Sequence, residues 1–339
     1  MNEQALLFLD RKPGRGGGQV VLEALLSRVP RDTEVHVFAH AAASTFLRVP
    51  PNVHLHSSRE AAIQSIRSRR LAIVANANSD FYEALAIGRA LSRRGFDAKT
   101  VAIVHSYPRG IAREVAVRSL LREFDGAVVV EPGLLKLAPR AISPSWLAPI
   151  DAPRALSGTV QTGRVKSFAR PDPSKGLHHL PALFRRLTDS GVRCEVALGT
   201  PLDGAQRYER NLRIDLAPWL AEGARTADWL DPGDVFVIPS ISGEAACLSA
   251  QEALLRGAAV AASRLGLMPY LIPGQGAMRT FAPGRMDQAH DAVRELVGMG
   301  PQEFGDAVTT SRDAVARRQG AWYDTTLAYI SRLHDAHHA

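Results

Sequence analysis

The sequence has few cysteines and no long apolar run. It contains two cysteines, Cys194 and Cys247, in 339 residues. They are too few for a disulfide framework, and their separation does not fit a metal-binding motif. No apolar run approaches the ~18 residues of a transmembrane helix. The run near the amino terminus, Ala5–Leu9, is too short for the core of a signal peptide. We therefore expect a protein of the reducing cytoplasm.

Acidic residues are outnumbered, with 34 Asp and Glu against 41 Lys and Arg, a formal net charge of +7 and a sequence pI of about 9.8. Such a balance favours phosphorylated small molecules, nucleic acid or an anionic membrane surface as partners. The basic residues are spread along the chain, without zinc-finger spacing or a block of Lys and Arg. We therefore do not expect nucleic acid as a partner.

Apolar runs of strand length alternate with helical patterns along the whole chain. A hydrophobic fraction of 46% and a charged fraction of 22% indicate a globular chain, and the length predicts about two domains. The alternation predicts an α/β fold with doubly wound parallel sheets. Four prolines between 139 and 153 place the hinge near 150–156. The predicted domains are 1–150 and 151–320, and packing of the segment 321–339 back on the first domain is an open alternative.

The stretch Asp234–Gly257 combines a buried strand, a small-residue loop and a helix. Two of its glutamates, Glu244 and Glu252, have seven residues between them. The loop follows the strand and is therefore expected at the carboxyl edge of a parallel sheet, where such sheets bind ligands. From the residues alone, Ser249 and Glu252 also fit a capping box, which would give Glu252 a structural role. That alternative stays open.

A second stretch, Phe168–Gly176, forms a basic turn after another predicted strand. Arg170 and Lys175 are five positions apart on this turn. A planar guanidinium and a compact ammonium at a sheet edge can converge on a diphosphate. The structural alternative is an ordinary exposed basic turn.

The two stretches together resemble the signatures of GT-B glycosyltransferases, in particular the retaining family 4 with its E-x7-E motif. The positions of this sequence that match the family patterns are Arg170, Pro173, Lys175, Gly176, Pro239, Ser240, Glu244, Glu252 and Gly257. Ala169 and Cys247 stand where the family has glycine.

The resemblance implies two Rossmann-like domains that face each other across a cleft, with the acceptor bound by the first and a nucleotide sugar by the second. It implies metal-independent transfer of a sugar from a UDP- or GDP-sugar to a hydroxyl, with retention at the anomeric carbon. Arg170 and Lys175 would stabilise the departing diphosphate. Glu244 would bind sugar hydroxyls and Glu252 the ribose. The backbone amides implied in phosphate binding are those of Cys247 and Leu248.

The first domain contributes a glycine-rich run and a histidine. The run Pro13–Gly18 lies between a strand and a helix, where backbone N–H groups can approach an anion, although it is not the dinucleotide fingerprint. His105 follows a buried strand. Through the resemblance, this histidine and the loop glycines would complete the cleft, and the residues implied are Gly16, Gly17, Gly18 and His105. A tight turn and a satisfied core histidine are the structural alternatives.

The sequence leaves the acceptor open among a lipid, a polysaccharide and a small metabolite. Arginines on the predicted helix Arg109–Phe124 leave peripheral contact with the inner membrane face open as well. No cofactor is implied beyond the nucleotide-sugar substrate. Three alternatives remain at this stage: a noncatalytic GT-B protein that binds nucleotide sugars, a GT-B sugar-nucleotide epimerase and a basic nucleic-acid-binding α/β protein.

Overall fold

The computed structural model describes residues 4–12, 17–108, 110–143, 161–200, 204–221, 229–272 and 276–334. Contacts divide the chain into two units, Met1–Leu147 with Gly320–Ala339 and Ala148–Gln319. The predicted hinge at 150–156 lies outside the described residues. Each unit is built around its own parallel sheet.

The first unit contains a six-stranded sheet with the strand order β3-β2-β1-β4-β5-β6, in which every described pair is parallel. Its central strands read as nearly continuous Val, Ile, Leu and Ala because helices cover both faces. All seven residues of β1 are buried. The strands are β1 Gln4–Asp10, β2 Glu34–Ala39, β3 Val53–His56, β4 Arg70–Ala75, β5 Asp97–Val104 and β6 Gly126–Val129.

The second unit contains a five-stranded parallel sheet with the order β11-β10-β9-β7-β8. Leucine, valine and phenylalanine side chains from the strands and covering helices form its core. The strands are β7 Arg164–Ala169, β8 Arg193–Leu198, β9 Val235–Ile238, β10 Ala259–Ser263 and β11 Met278–Phe281.

Helices connect the strands of both sheets. Those of the first unit are Gly17–Leu26, Arg59–Ser65, Phe81–Arg93, Ile111–Leu121 and Ala321–Arg332. Those of the second unit are Leu180–Asp189, Gln206–Asp215, Leu248–Leu255, Met268–Leu271, Met286–Val297 and Pro301–Ala316. Within the described ranges, none of the helices has both the length and the apolar character needed to cross a bilayer.

The last described helix, Ala321–Arg332, packs within the first unit although it ends the chain. The indole of Trp322 is fully buried and donates from Nε1 to the carbonyl oxygen of Val129 at 2.9 Å. A Cβ added to Gly126 would lie 2.6 Å from the hydroxyl of Tyr329, so only glycine fits under that ring. The terminal helix thus contributes directly to the core beside β6.

Each sheet has one point at which the chain reverses its direction of winding. In the first unit this switch lies between β1 and β4, and in the second it lies between β7 and β9. The crevice at the carboxyl ends of such strands is where open α/β sheets bind ligands. The turn after β7 and the loop after β9 both lie at the switch of the second sheet. Gly17 and Gly18, after β1, and Asn76, after β4, lie at the switch of the first.

The glycines after β1 differ from the expectation. Gly17 and Gly18 form the first two residues of the helix Gly17–Leu26, where the sequence predicts a loop. Gly16 lies outside the described residues. The helix therefore begins within the glycine-rich run, and two of the glycines lie in its first turn.

Candidate functional site

The turn after β7 is organised by its own short side chains. Oδ1 of Asp172 accepts hydrogen bonds from the backbone N–H of Ser174 at 2.8 Å and from its hydroxyl at 2.7 Å. Pro173 occupies the first position of the resulting 3-10 turn, and Gly176 ends it with φ of +67°. Proline and glycine each adopt these backbone angles without strain. The turn therefore holds its basic residues in a defined conformation.

This turn packs directly against the loop that follows β9. The carbonyl oxygen of Ser174 accepts hydrogen bonds from the N–H groups of Ile241 at 2.8 Å and Ser242 at 3.3 Å. A Cβ on Gly176 would lie 1.9 Å from the carbonyl oxygen of Pro239. Two stretches about 70 residues apart in sequence therefore meet at the switch between β7 and β9.

Glu244 links the two stretches through an ion pair. Its Oε1 accepts a hydrogen bond from Nζ of Lys175 at 2.6 Å and another from the hydroxyl of Ser240 at 2.6 Å. Glu244 and Ser240 are buried, whereas Lys175 is partly exposed. In the described part of the chain, Oε2 of Glu244 accepts no hydrogen bond. Oε1 is thus hydrogen-bonded within the protein, and Oε2 is available to accept a hydrogen bond from a ligand hydroxyl.

Two further predicted residues, Arg170 and Glu252, have no ion-pair or side-chain hydrogen-bond partner among the residues that the structure describes. Arg170 directly follows β7 and is partly exposed. Glu252 lies on the helix Leu248–Leu255 and is partly buried. Burial raises the pKa of Glu252 to about 7, and the charge of Arg256 offsets this effect only in part. A shielded carboxylate without a partner is costly, which is the property expected of a group that pairs with a ligand.

The capping-box alternative for Glu252 is wrong. The helix begins at Leu248, so Ser249 lies inside it instead of at the cap. Cys247 occupies the cap, and its side chain forms no capping hydrogen bond with a backbone N–H of the first turn. The N–H groups of a helix's first turn have no partners within the helix. Together with the helix dipole, they favour an anion at this position.

Cys247 is the one non-glycine residue with positive φ among those the structure describes, at φ 42° and ψ 69°. This explains why the matching position in family 4 signatures is glycine, which adopts the left-handed region without a Cβ penalty. Burial, followed by the charge of Glu244, raises the pKa of the Cys247 thiol to about 12. The thiol is therefore protonated at neutral pH and is a poor nucleophile.

The strain at Cys247 predicts that Cys247→Gly is more stable than Cys247→Ala by about 1 kcal/mol. Both variants remove the buried sulfur, so their difference isolates the cost of a Cβ in the left-handed region. Urea unfolding of the two variants measures this difference. If the alanine variant is equally stable or more stable, the strained conformation at this position is not the one that the protein adopts.

At the switch of the first sheet, a chain of buried polar side chains joins three strands. The carboxylate of Asp10 accepts from Nε2 of Gln19 at 2.7 and 2.9 Å and from Nδ2 of Asn76 at 2.9 Å. Nδ2 of Asn76 also donates to the carbonyl oxygen of Gly18 at 3.0 Å. Its Oδ1 lies 3.1 Å from Nε2 of His105. The sequence pointed to His105 but missed Asp10 and Gln19, although a carboxylate that ends an apolar strand is a readable signal.

Burial shifts the protonation of two groups near this chain. It lowers the pKa of His105 to about 3, with a smaller contribution from the charge of Lys12, so the ring is neutral at physiological pH. Burial, followed by the charge of Asp10, raises the pKa of Asp80 to about 6. Asp80 is fully buried at the start of the helix Phe81–Arg93.

The predicted site residues therefore fall into two groups, one in each unit. Arg170, Lys175, Glu244, Cys247, Leu248 and Glu252 lie around the switch of the second sheet, and Gly17, Gly18 and His105 lie at the switch of the first. In the described ranges, no group of three or more His, Cys, Asp and Glu side chains is arranged to hold a metal ion.

Comparison with known proteins yields similarity in structure alone. No family model matches the sequence, and no curated protein matches it either. Among solved structures, HepE of Anabaena in complex with UDP-glucose superposes with a TM-score of 0.76 at 16% identity, covering 96% of this chain and 99% of that one. Sucrose-phosphate synthase of Thermosynechococcus elongatus gives a TM-score of 0.73 at 15% identity, covering 98% and 100%. A UDP-forming α,α-trehalose-phosphate synthase of Burkholderia xenovorans gives 0.66 at 13% identity, covering 97% and 99%. These likenesses confirm the predicted GT-B fold.

Proposed function

We propose that this protein is a retaining glycosyltransferase that moves a sugar from a nucleotide-diphosphate donor to a hydroxyl acceptor without a metal ion. The observation that carries the proposal lies at the switch of the second sheet. There the basic turn Arg170–Gly176 packs against the loop after β9, and Lys175 forms an ion pair with Glu244. The helix Leu248–Leu255, which carries Glu252, begins directly after that loop. Cations, a helix N-terminus and two carboxylates are suited to a diphosphate that carries a sugar on one side and a ribose on the other.

Each residue of this group has a distinct role in the proposal. Departure of the nucleoside diphosphate places negative charge on its phosphate oxygens, and Arg170 and Lys175 stabilise that charge. The amides of Cys247 and Leu248 bind the phosphates at the helix N-terminus. Oε2 of Glu244 accepts from donor sugar hydroxyls, and the carboxylate of Glu252 accepts from the ribose hydroxyls.

The first unit supplies the acceptor side in this proposal, and the second unit binds the nucleotide sugar. In this proposal His105 lines the acceptor side, and the glycines at the start of the helix Gly17–Leu26 contribute to donor binding beside the phosphates. The acceptor class remains a lipid, a polysaccharide or a small metabolite, in a cytoplasmic setting or at the inner membrane face. No protein nucleophile is assigned, because retaining members of the resembled family are thought to use the donor phosphate to take up the acceptor proton.

The donor most worth testing first is a UDP-sugar. HepE has been crystallised with UDP, with UDP and glucose, and with UDP-glucose, and the trehalose-phosphate synthase is described as UDP-forming. We propose the same nucleotide class for this chain, with GDP as the alternative.

Glu252→Gln is expected to abolish the stabilisation by UDP while it raises the stability of the unliganded protein. Folding raises the pKa of Glu252 from 4.5 to about 7. The folded state therefore binds an extra proton between these values, and stability falls as pH rises through that window. The glutamine side chain of the variant does not ionise, so the variant does not lose stability in this way. Its free energy of unfolding should exceed that of the wild type by on the order of 2 kcal/mol at about pH 8. UDP should raise the melting temperature of the wild type by roughly 5 °C at about 100 times its Kd, and that of the variant much less.

Thermal unfolding with UDP, GDP, ADP and dTDP, each with and without EDTA, measures these effects. The wild-type response to UDP should survive EDTA and should weaken below about pH 7, where Glu252 takes up its proton. Glu303→Ala is the matched control, since Glu303 is exposed in the first turn of the helix Pro301–Ala316. Absence of a response to all four diphosphates would exclude a nucleotide-sugar site.

Transfer itself is tested by the release of UDP from UDP-glucose in the presence of hydroxyl acceptors. We expect a product that keeps the α-configuration of the donor, read from the coupling constant of its anomeric proton. A protein that binds UDP tightly but releases none from any UDP-sugar would be a noncatalytic binding protein. Release of free sugar derivatives without an acceptor would indicate the epimerase alternative.

A further inference from the structure

The buried polar chain at the switch of the first sheet has a fixed direction. Oxygen is the only kind of atom that Asp10 and the Gly18 carbonyl present to Asn76, and both of these partners are acceptors at neutral pH. The Asn76 atom that contacts them at 2.9 and 3.0 Å must therefore be the amide nitrogen, Nδ2. The carbonyl oxygen of the Asn76 amide is then the atom that faces the ring of His105.

The protonation of His105 follows from this direction. Oδ1 of Asn76 is an acceptor, so Nε2 of His105, at 3.1 Å, must carry the proton that joins them. A neutral imidazole has one N–H only, and burial keeps this ring neutral. Nδ1 is therefore unprotonated. In the part of the chain that the structure describes, no donor forms a hydrogen bond with Nδ1.

The amide of Asn76 is itself held rigidly. Asp10 is fixed by two hydrogen bonds from Gln19, and all three side chains, those of Asp10, Gln19 and Asn76, are buried. Rotation of the Asn76 amide would place Nδ2 against the His105 ring and Oδ1 against the Asp10 carboxylate. Two acceptors would then face each other without a proton, which is costly for buried groups.

We propose that Asn76 is a positioning residue that holds His105 as the Nε2–H tautomer, so that Nδ1 keeps a free lone pair for a substrate hydroxyl. The ring then acts as a neutral hydrogen-bond acceptor, not as an imidazolium cation. Asp10 and Gln19 contribute to this arrangement because they determine that Oδ1, and not Nδ2, of the Asn76 amide contacts the ring.

The charged groups around the ring agree with this assignment. The charge of Lys12 opposes protonation of His105. The carboxylate of Asp10, which belongs to the polar chain, already accepts three hydrogen bonds, from the side chains of Gln19 and Asn76. Asp80 is the other acid at this edge, and its pKa of about 6 leaves it mostly ionised at neutral pH. No carboxylate hydrogen-bonds to the His105 ring, so nothing in the described residues favours a second ring proton.

For its consequence in catalysis, this assignment rests on the transfer reaction proposed above, but the tautomer can be measured without it. We suggest ¹H–¹⁵N correlation spectra of the full-length, ligand-free protein carrying ¹⁵N-labelled histidine, with His105 assigned by its absence in His105→Gln. The wild type should show a pyrrole-type Nε2 and a pyridine-type Nδ1 for this ring, unchanged from about pH 8 to about pH 5. A protonated Nδ1, or titration within that range, would overturn the proposal.

Asn76→Leu should release the ring from this single form. We expect a mixture of tautomers for His105 in the variant, because the acceptor on Nε2 is gone. Asn78→Leu is the matched control, since Asn78 donates to the Ser106 carbonyl oxygen at 3.2 Å and not to the ring, and its spectrum for His105 should match the wild type. An unchanged tautomer in Asn76→Leu would assign the ring's orientation to other contacts. If Asn76→Leu does not fold, the wild-type spectrum alone still decides the tautomer.

The outcome is independent of whether the protein transfers sugar. A single Nε2–H tautomer, with no shift of the melting temperature by UDP, would support the positioning role of Asn76 and refute the proposed function. The reverse result would retain the transferase and remove the role of Asn76. If both hold, Asn76→Leu should lower the rate of UDP release from UDP-glucose at least tenfold, about the effect of losing one oriented hydrogen bond. Its Kd for UDP should change much less than this rate, because Arg170, Lys175 and Glu252, the side chains assigned to UDP, belong to the second unit.

Discussion

Asp234→Ala is expected to destabilise the second unit by about 3–5 kcal/mol, which is the usual cost of leaving a buried charge without its partner. Asp234 is fully buried just before β9. Its Oδ2 pairs with Nζ of Lys166 at 2.8 Å, and its Oδ1 accepts from Nε of Arg164 at 3.1 Å. The hydroxyl of Thr162 donates to the same Oδ1 at 2.6 Å. Removal of the carboxylate takes away the buried anion nearest to Lys166, which is only 2% exposed. Its ammonium then keeps the carbonyl oxygen of Trp229 and the half-exposed carboxylate of Asp231.

The neighbouring acid provides the control for this prediction. Asp231 contacts the same two cations, with Arg164 at 2.6 Å and Lys166 at 3.2 Å, but its side chain is 53% exposed. Asp231→Ala should therefore cost no more than about 1 kcal/mol. Urea unfolding followed by circular dichroism compares the two variants. Equal losses would mean that solvent reaches Lys166 and that the network is an ordinary surface cluster.

The same pair of variants separates stability from function. The network lies where β7 and β9 begin, whereas the proposed nucleotide site lies where these strands end. Asp234→Ala should keep the wild-type Kd for UDP under conditions in which it remains folded. A weakened Kd in the folded variant would show that the two ends of the sheet are coupled.

This network could not be predicted from the sequence. Lys166 lies in a strand, and the sequence pattern there does not distinguish a buried lysine from a solvent-exposed one. Its partners follow it by 63 to 68 positions in the sequence. Only the parallel register, with Lys166 opposite Phe236, brings these charges together. Sequence patterns report which face of a strand is apolar, but they do not report which distant charge will neutralise a buried one.

The conformation of the turn after β7 and its place beside the loop after β9 were predictable because the parts are local. The turn Arg170–Gly176 contains its own cap, proline and glycine, so its conformation follows from adjacent residues. The order of strands in a doubly wound sheet then places it beside the loop after β9. The hydrogen bond from Ser240 to Glu244 could not be assigned in this way, because Ser240 reads equally well as a plain turn residue.

The first unit shows the limit of the same reasoning. The sequence indicated His105 by its position after a buried strand. The hydrogen bonds that orient its ring come from Asn76, which Asp10 holds in turn, and these residues precede it by up to 95 positions. Capping gives a similar lesson in the second unit. The capping box at Ser249 failed because the cap lies two residues earlier, at Cys247, whose left-handed conformation no propensity would favour.

Gly176→Ala is expected to destabilise the second unit by more than about 3 kcal/mol and to remove the response to UDP. An alanine at φ of +67° bears a strain of about 1 kcal/mol. The larger effect is steric, since the new Cβ would lie 1.9 Å from the backbone oxygen of Pro239, which is not the end of a flexible side chain. The turn must move away from the loop after β9. That movement breaks the hydrogen bonds to Ser174 and separates Lys175 from Glu244.

Gly191→Ala isolates the backbone part of this effect. Gly191 has φ of +80°, also in the second unit, but an added Cβ would meet no atom within 4 Å. Its loss should be about 1 kcal/mol, and its response to UDP should equal that of the wild type. Urea unfolding gives the two stabilities, and calorimetric titration with UDP gives the two affinities. Similar stability and affinity in both variants would show that the turn and the loop do not need their close contact. The Lys175–Glu244 pair would then have to be held by other means.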